Sequence, residues 1–513
     1  RGDQVSCYKT VGVHGWFWCC PFKGHSFRSL QCNLWLSLNV YINMSLVSLC
    51  ACLFRLSQLK GSIQNSKVRV MTIVKKFCRL WMPMVCAFCL GNVQAQANRI
   101  DFIRSDAPAL AAYGAFDIGV KTVQFKNPQQ WDIVNAKPGQ PVPLYDRPLT
   151  VEIWYPGQAN TAAQNPGEYK VFFRDGKTQI SLYGKALRDA SPDRAKGPYP
   201  LVVVSHGYPG NRFLLSPVAE NLASKAYVVV SIDHTDSTYS DQAAFASTLR
   251  NRPLDVSFVI DEMVKANRDV NSPFKDLIDE NRIALIGYSM GGYGVINKLG
   301  GGFSEKAAQF AGLPPDALTP LQSANPDFAK RRDPRIQAAV AFGPWGWNQG
   351  FWDAEGLKGI RTPMLFIAGG VDDVSGYSPG VRNLYEGSIN SDRYLLTFEN
   401  ANHNAGASMP PPQESWKRVP WLPSIPAGHY IDPVWDTVRM NNISQHFITA
   451  FLGKHLDKDM AKAAHLDVLE YAKQGKWAAN PDGSYKPGHS YWRGFPNRTA
   501  VGLRLEHMGV APK

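Results

Sequence analysis

The chain has 513 residues and a formal net charge of +13, long enough for one large α/β domain or two smaller ones and basic enough to suggest a nucleic-acid partner. The charge is unevenly spread: residues 1–97 hold 11 Lys or Arg and a single acid, Asp3, leaving 44 basic against 41 acidic residues beyond them. That near balance removes the main support for nucleic-acid binding, and because all nine cysteines lie between Cys7 and Cys89, the body can have no disulfide, thiolate nucleophile or thiolate metal ligand.

Residues 1–70 begin with Arg1 and show no sustained periodicity. Residues 34–54 carry no charge, but Ser37, Asn39, Asn43, Ser45 and Ser48 interrupt them, so a membrane anchor is the lesser reading and upstream translation before Met71 the favoured one. From Met71 come Lys75, Lys76 and Arg79, an apolar stretch to Leu90, and then Gln94-Ala95-Gln96-Ala97-Asn98. A positive region, a short apolar region and an A-x-A site read as a secretory signal peptide cut after Ala97, hence a periplasmic or secreted protein.

In the body, residues 116–125 and 149–155 alternate apolar with polar and predict two strands separated by the Pro-rich segment 138–148. Residues 156–198, rich in Gly, Asp and Lys, read as a long connection. Residues 200–205 are a continuous apolar run of the kind a buried parallel strand needs, closed by His206-Gly207-Tyr208-Pro209-Gly210. A helix over 214–225, a strand over 227–232 and a helix over 254–267 follow. Arg282-Ile283-Ala284-Leu285-Ile286 then leads into Gly287-Tyr288-Ser289-Met290-Gly291-Gly292 and a helical pattern. Strand, G-x-S-x-G and helix are the sequence form of a nucleophile elbow, with Ser289 as the nucleophile.

Residues 300–333, rich in Gly and Pro, are a candidate excursion or cap. Strands are expected over 336–342, 364–368 and, last, 394–398, with helices over 378–386 and 434–455; residues 456–513 form an extension with a helix over 460–473. This alternation predicts a single, mostly parallel α/β sheet covered by helices on both faces.

A serine hydroxyl needs a base, and the base needs a third group to fix its tautomer. His403 follows the strand ending at Phe398, and Asp372 and Asp373 follow the strand ending at Ala368, the edge where such sheets keep their chemistry. Asp372 is the favoured acid and Asp373 its competitor. His429, His446 and His455 fall in or near the closing helical segment and read as packed or surface residues. The backbone N–H groups of Met290 and Tyr208 are the expected oxyanion donors, with His206 orienting the loop. Trp345, Trp347, Phe351 and Trp352 read as core or, nearly as well, as a substrate wall for an acyl group, with Trp345 the expected substrate contact. Asp233-His234-Thr235-Asp236 has ligand-type side chains, but no second cluster completes a metal geometry, so neither metal nor cofactor is expected.

Residues 200–233, 277–299 and 335–403 together resemble the platelet-activating-factor acetylhydrolase-like branch of the α/β hydrolases, including dienelactone hydrolase-like bacterial proteins. Gly287-Tyr288-Ser289-Met290-Gly291-Gly292, Pro344-Trp345 and residues 362–372 also resemble bacterial cutinases and polyester hydrolases, where Tyr208 and Trp345 correspond to a substrate clamp. The resemblance spans residues 114–455 and implies an α/β-hydrolase fold and a serine hydrolase of small-molecule, lipid-like or polymeric carboxylic esters. Two departures matter. The acetylhydrolases carry the acid where this chain has Gly343, which passes that role to Asp372, and dienelactone hydrolases proper use a cysteine where this chain has Ser289. An amide hydrolase or a non-catalytic binding protein on the same fold are the alternatives.

Overall fold

The computed structural model describes residues 98–158 and 166–512, so the upstream segment and the signal-peptide reading of residues 71–97 lie outside the described residues. One eleven-stranded sheet organises the rest. Its strands are β1 (Asp117–Trp131), β2 (Leu144–Gly157), β3 (Pro166–Phe172), β4 (Gln179–Arg188), β5 (Tyr199–Ser205), β6 (Val228–Asp233), β7 (Ile278–Tyr288), β8 (Ile336–Phe342), β9 (Met364–Gly369), β10 (Arg393–Phe398) and β11 (Leu503–Met508), in the order β11-β10-β9-β8-β7-β5-β6-β2-β1-β4-β3. The six central strands from β10 to β6 run parallel, and antiparallel strands flank them at both edges. This is the α/β-hydrolase fold.

The apolar runs of the parallel strands follow from burial on both faces. In β5, Val202 and Val204 pack into one core with α1 (Ser216–Ala223) and the closing helix, whereas Leu201 and Val203 pack into the other with α2 (Phe245–Arg268) and α3 (Met290–Lys298). The same alternation divides Ala284 and Ile286 of β7 from Ile283 and Leu285. α4 (Arg382–Gly387) and α5 (Thr437–Leu452) complete the layers.

Several expectations need correction. The supposed connection 156–198 contains β3 and β4, an antiparallel pair. Ile180, Leu182 and Ala186 do alternate inward along β4, but the inward position between Leu182 and Ala186 is Gly184, which offers no apolar side chain to read. The segment 138–148 is less open than its prolines suggest. β2 starts at Leu144, and Pro148 is accommodated because that end of the strand pairs only with β1, β6 joining from Thr150 onward.

α2 begins well before Pro253, at Phe245. The carbonyl that Pro253 leaves without its helical donor, Leu249 O, instead accepts from the Tyr293 hydroxyl at 2.9 Å. Pro379 confines α4 to residues 382–387, and the helix after residue 459 is one turn, Met460–Ala463. β10 is not the last strand. β11 adds antiparallel to it, burying Leu503 and Leu505, while Arg382 and Glu506 pair at 2.9 Å, so the C-terminal extension is part of the sheet.

Residues 300–333 form single-turn 3-10 segments, Glu305–Gln309, Thr319–Leu321 and Phe328–Arg331, anchored by buried Phe303, Leu318 and Leu321. Among the described residues no helix is long and apolar enough to cross a membrane.

Candidate active site

Ser289 sits between β7 and α3 with φ 53° and ψ −112°, a left-handed conformation that a side chain adopts only at a cost of about 1–3 kcal/mol. Backbone bonds hold it there. Its N–H donates to Phe342 O at 2.9 Å, and its carbonyl accepts from Tyr293 N at 2.9 Å and Trp345 N at 3.2 Å. The flanking glycines are steric necessities: a Cβ on Gly287 would run into the backbone of Gly291, and one on Gly291 into the Ser205 carbonyl. The serine is thereby presented at the carboxyl edge of the parallel strands in a cavity of about 190 Å³ shared with Tyr208, His403, Asn404 and His429. A larger hollow, about 590 Å³, lies at the opposite ends of β8 and β9 among Lys298, Asp333, Thr362 and His455, and it contains none of these groups.

His403 and Asp372 meet as expected. His403 Nδ1 is 2.9 Å from Asp372 Oδ2 and 3.0 Å from Oδ1, which leaves Nε2 as the nitrogen free for other work. The Asp372 carboxylate is completely buried and its Oδ1 also accepts from Val374 N at 2.9 Å and Ser375 N at 2.8 Å. Burial alone would raise its pKa; the His403 imidazole and the two N–H donors outweigh that and hold the carboxyl below the usual carboxylate range. Asp373 instead points its exposed side chain at the backbone N–H of His403, 3.4 Å away.

Gly343 explains why the acid stands where it does. A Cβ there would lie 3.0 Å from Asp372 Oδ2 and 3.2 Å from the His403 ring, and the residue has φ +43°. The space that a side chain at 343 would take is filled by the carboxylate arriving from the next strand. No hydrogen bond joins the Ser289 hydroxyl to His403 among the described residues, although both line the cavity.

The Met290 N–H is one of the unsatisfied donors at the start of α3, and the Tyr208 N–H lies in the loop after β5. Neither has an acceptor among the described residues. Trp345 does not line the cavity itself. It packs edge-on to Phe245 at 5.5 Å, and Phe245 in turn packs edge-on to Tyr208 at 5.0 Å, so a partly exposed aromatic face runs away from Ser289. Phe351 and Trp352 are buried core.

Three further residues belong to the site without having been assigned a role there from the sequence. Tyr288 lies under the His403 ring, with centroids 5.2 Å apart, and its hydroxyl donates to Asn404 Oδ1 at 2.9 Å. Phe245 is the link between Tyr208 and Trp345. His429 lines the cavity and is pulled down to about 3 by burial, so it stays neutral. Phe245 and His429 lie outside any motif, and Tyr288 occupies a position of the elbow motif that any residue can fill, so only the folded contacts identify the three.

The ligand-type side chains of residues 233–236 are engaged with other partners. Asp233 pairs with Arg212, Asp236 with Arg147 at 2.9 Å, and His234 lies between Ser205 and Asp255.

The chain is similar to several known proteins. A PET hydrolase-like family model matches residues 174–311. Cutinase est1 of Thermobifida alba is 26% identical over 213 residues, 41% of this chain and 56% of that protein. Cutinase 2 of Thermobifida cellulosilytica is 25% identical over 213 residues, covering 41% and 63%. A platelet-activating factor acetylhydrolase of Cavia porcellus is 29% identical over 164 residues, covering 24% and 38%. The chain thus spans little more than half the length of the cutinases it matches. Among solved structures, a ferulic acid esterase from Streptomyces cinnamoneus aligns with a TM-score of 0.47 at 19% identity, over 71% of this chain and 94% of its own. The chain thus has the α/β-hydrolase fold and is similar in sequence to cutinase-type polyester hydrolases.

Proposed function

We propose that this chain is an exported serine esterase that cleaves carboxylic esters through an acyl-enzyme. The observation that carries the reading is that a serine in a strained turn and an imidazole oriented by a buried carboxylate line one small cavity, with the backbone N–H groups of Tyr208, on its lining, and of Met290, next to Ser289, both without acceptors among the described residues. In this reading His403 Nε2 takes the Ser289 proton as Oγ attacks the ester carbonyl. Asp372 keeps Nδ1 protonated and stabilises the imidazolium, and the N–H groups of Tyr208 and Met290 receive the oxyanion. His403 then gives the proton to the departing alcohol, and water, activated by the same base, releases the acid and regenerates Ser289. No cofactor is required.

The aromatic face of Tyr208, Phe245 and Trp345 suits a substrate with an extended apolar or aromatic acyl part, in keeping with the cutinase relatives. A fluorophosphonate probe should label the wild-type protein and fail to label Ser289→Ala. A panel of p-nitrophenyl esters and matching anilides should show turnover of the esters; anilides hydrolysed as fast as the esters would turn the reading to an amide hydrolase. Labelling at wild-type intensity in Ser289→Ala would discard it altogether.

Export rests on residues 71–97. N-terminal sequencing of protein recovered outside the cytoplasm should begin at Asn98. A recovered chain that keeps residues 1–70 would instead favour a membrane anchor.

A further inference from the structure

The loop 206–208 is fastened from below by a single side chain of α2. Arg252 is fully buried, and its guanidinium donates to two successive backbone carbonyls, through Nη1 to His206 O and through Nη2 to Gly207 O at 3.0 Å. The same fork reaches the hydroxyls of Ser205 at 3.3 Å and Ser237 at 2.9 Å. In a trans peptide the C=O and N–H point in opposite directions. A Gly207 carbonyl turned inward to Arg252 therefore turns the Tyr208 N–H, which shares its plane, outward. The loop abuts the nucleophile: a Cβ on Gly207 would lie 3.4 Å from Ser289 Cβ.

Nothing in packing alone calls for a cation here. No carboxylate hydrogen-bonds Arg252 among the described residues, and burial pulls it down to about 9. Asp255, the acid one helical turn on, is already held by Arg147 at 2.9 and 3.1 Å and by His234 Nδ1 at 2.9 Å. Burying a guanidinium without a counter-ion is costly. What Arg offers in return is a planar fork that can grip two carbonyls at once, which no apolar side chain and no lysine reproduces.

The neighbouring chain Ser205 Oγ, His234 Nε2 at 2.8 Å, and Asp255 has the residue types of a nucleophile relay. Ser205 is 1% exposed, however, so no substrate reaches it. Burial pulls His234 down to about 3, which keeps it neutral, and the chain braces the end of β5 against α2 and Arg147 of β2.

We propose that Arg252 is a positioning residue for the oxyanion hole: it grips the His206 and Gly207 carbonyls, aims the Tyr208 N–H at the oxyanion, and polarises that peptide so that the N–H donates more strongly. This rests on the serine-esterase reading. Removing an oxyanion donor outright costs on the order of 10² to 10³ in kcat, so misaiming one should cost about 10- to 100-fold.

The test compares wild type, Arg252→Gln and Arg252→Lys for kcat and KM on a p-nitrophenyl ester, for thermal unfolding, and for affinity toward a boronic acid whose tetrahedral serine adduct sets a charged oxygen in the hole. Arg252→Gln should lose about 10- to 100-fold in kcat with KM within about threefold, and should bind the boronic acid more weakly by a similar factor. Arg252→Lys, which keeps the charge and loses the fork, should fall between. A folded Arg252→Gln with wild-type kcat and boronic-acid affinity overturns the proposal, as does a loss confined to KM, which would mark a substrate contact. If the Gln variant does not fold, the Lys variant decides: wild-type kcat and affinity in it overturn the proposal equally. These outcomes leave the serine-esterase reading standing. A wild-type protein inert to fluorophosphonate, or turnover retained in Ser289→Ala, removes that reading and this one with it.

Discussion

Ser289→Ala and His403→Ala should each lower kcat on an activated ester by a factor on the order of 10⁴ or more, and the double variant should lose little beyond either single one. The reason is mechanical. A hydroxyl without a base is a poor nucleophile, and a base without the hydroxyl has no proton to take, so either deletion removes the same step. What survives is the contribution of the oxyanion donors and of substrate binding. The folded protein should tolerate both changes. Ser289→Ala keeps the backbone bonds to Phe342, Tyr293 and Trp345 that define the turn, because all three use main-chain atoms of residue 289. Thermal unfolding of the variants therefore separates a chemical loss from a structural one. Near-normal turnover by well-folded Ser289→Ala would exclude it as the nucleophile.

How much of this was legible in the sequence differs from region to region, for physical reasons. The parallel strands announce themselves because both faces are buried: β5 reads Leu201-Val202-Val203-Val204 with no polar residue to alternate against. The elbow is legible because its glycines answer to backbone collisions that no side chain can avoid. By contrast β3 is an edge strand and β4 its neighbour, each with one solvated face, and their polar residues make them look like a connection. β11 is separated from β10 by more than a hundred residues, so its pairing is purely tertiary. The sequence points to a later start for α2 because a proline ordinarily ends a helix, whereas the distant Tyr293 hydroxyl makes Pro253 tolerable inside it. Ser289, Asp372 and His403 are each proposed from their place after a strand, whereas Arg252, Phe245 and Tyr288 come to notice only through contacts that spacing does not encode.

The choice between Asp372 and Asp373 yields the second large effect. Asp372→Asn should lower kcat by roughly 10² to 10⁴, and far more than it alters KM. Asp372 gives His403 Nδ1 a buried, anionic acceptor, and the amide that replaces it can present an N–H to that nitrogen and favour the wrong tautomer. The Val374 and Ser375 N–H groups that hold the carboxylate would keep their acceptor in Asn Oδ1, so the loop should remain in place while the charge is lost. Asp373 is exposed and, among the described residues, accepts only the backbone N–H of His403, at 3.4 Å, so Asp373→Asn should cost little in kcat and at most about 1 kcal/mol of stability. Acid stability gives an independent reading. Because the folded carboxyl of Asp372 lies below its unfolded value, its contribution is complete above about pH 4 and fades as the pH falls through the lowered folded value. Asp372→Asn should remove that component of acid unfolding and Asp373→Asn should keep it. Measuring kcat on one activated ester and unfolding from pH 7 down to pH 2 for both variants decides the matter: a larger kcat loss in Asp373→Asn would move the acid by one residue and leave the buried Asp372 as a loop anchor.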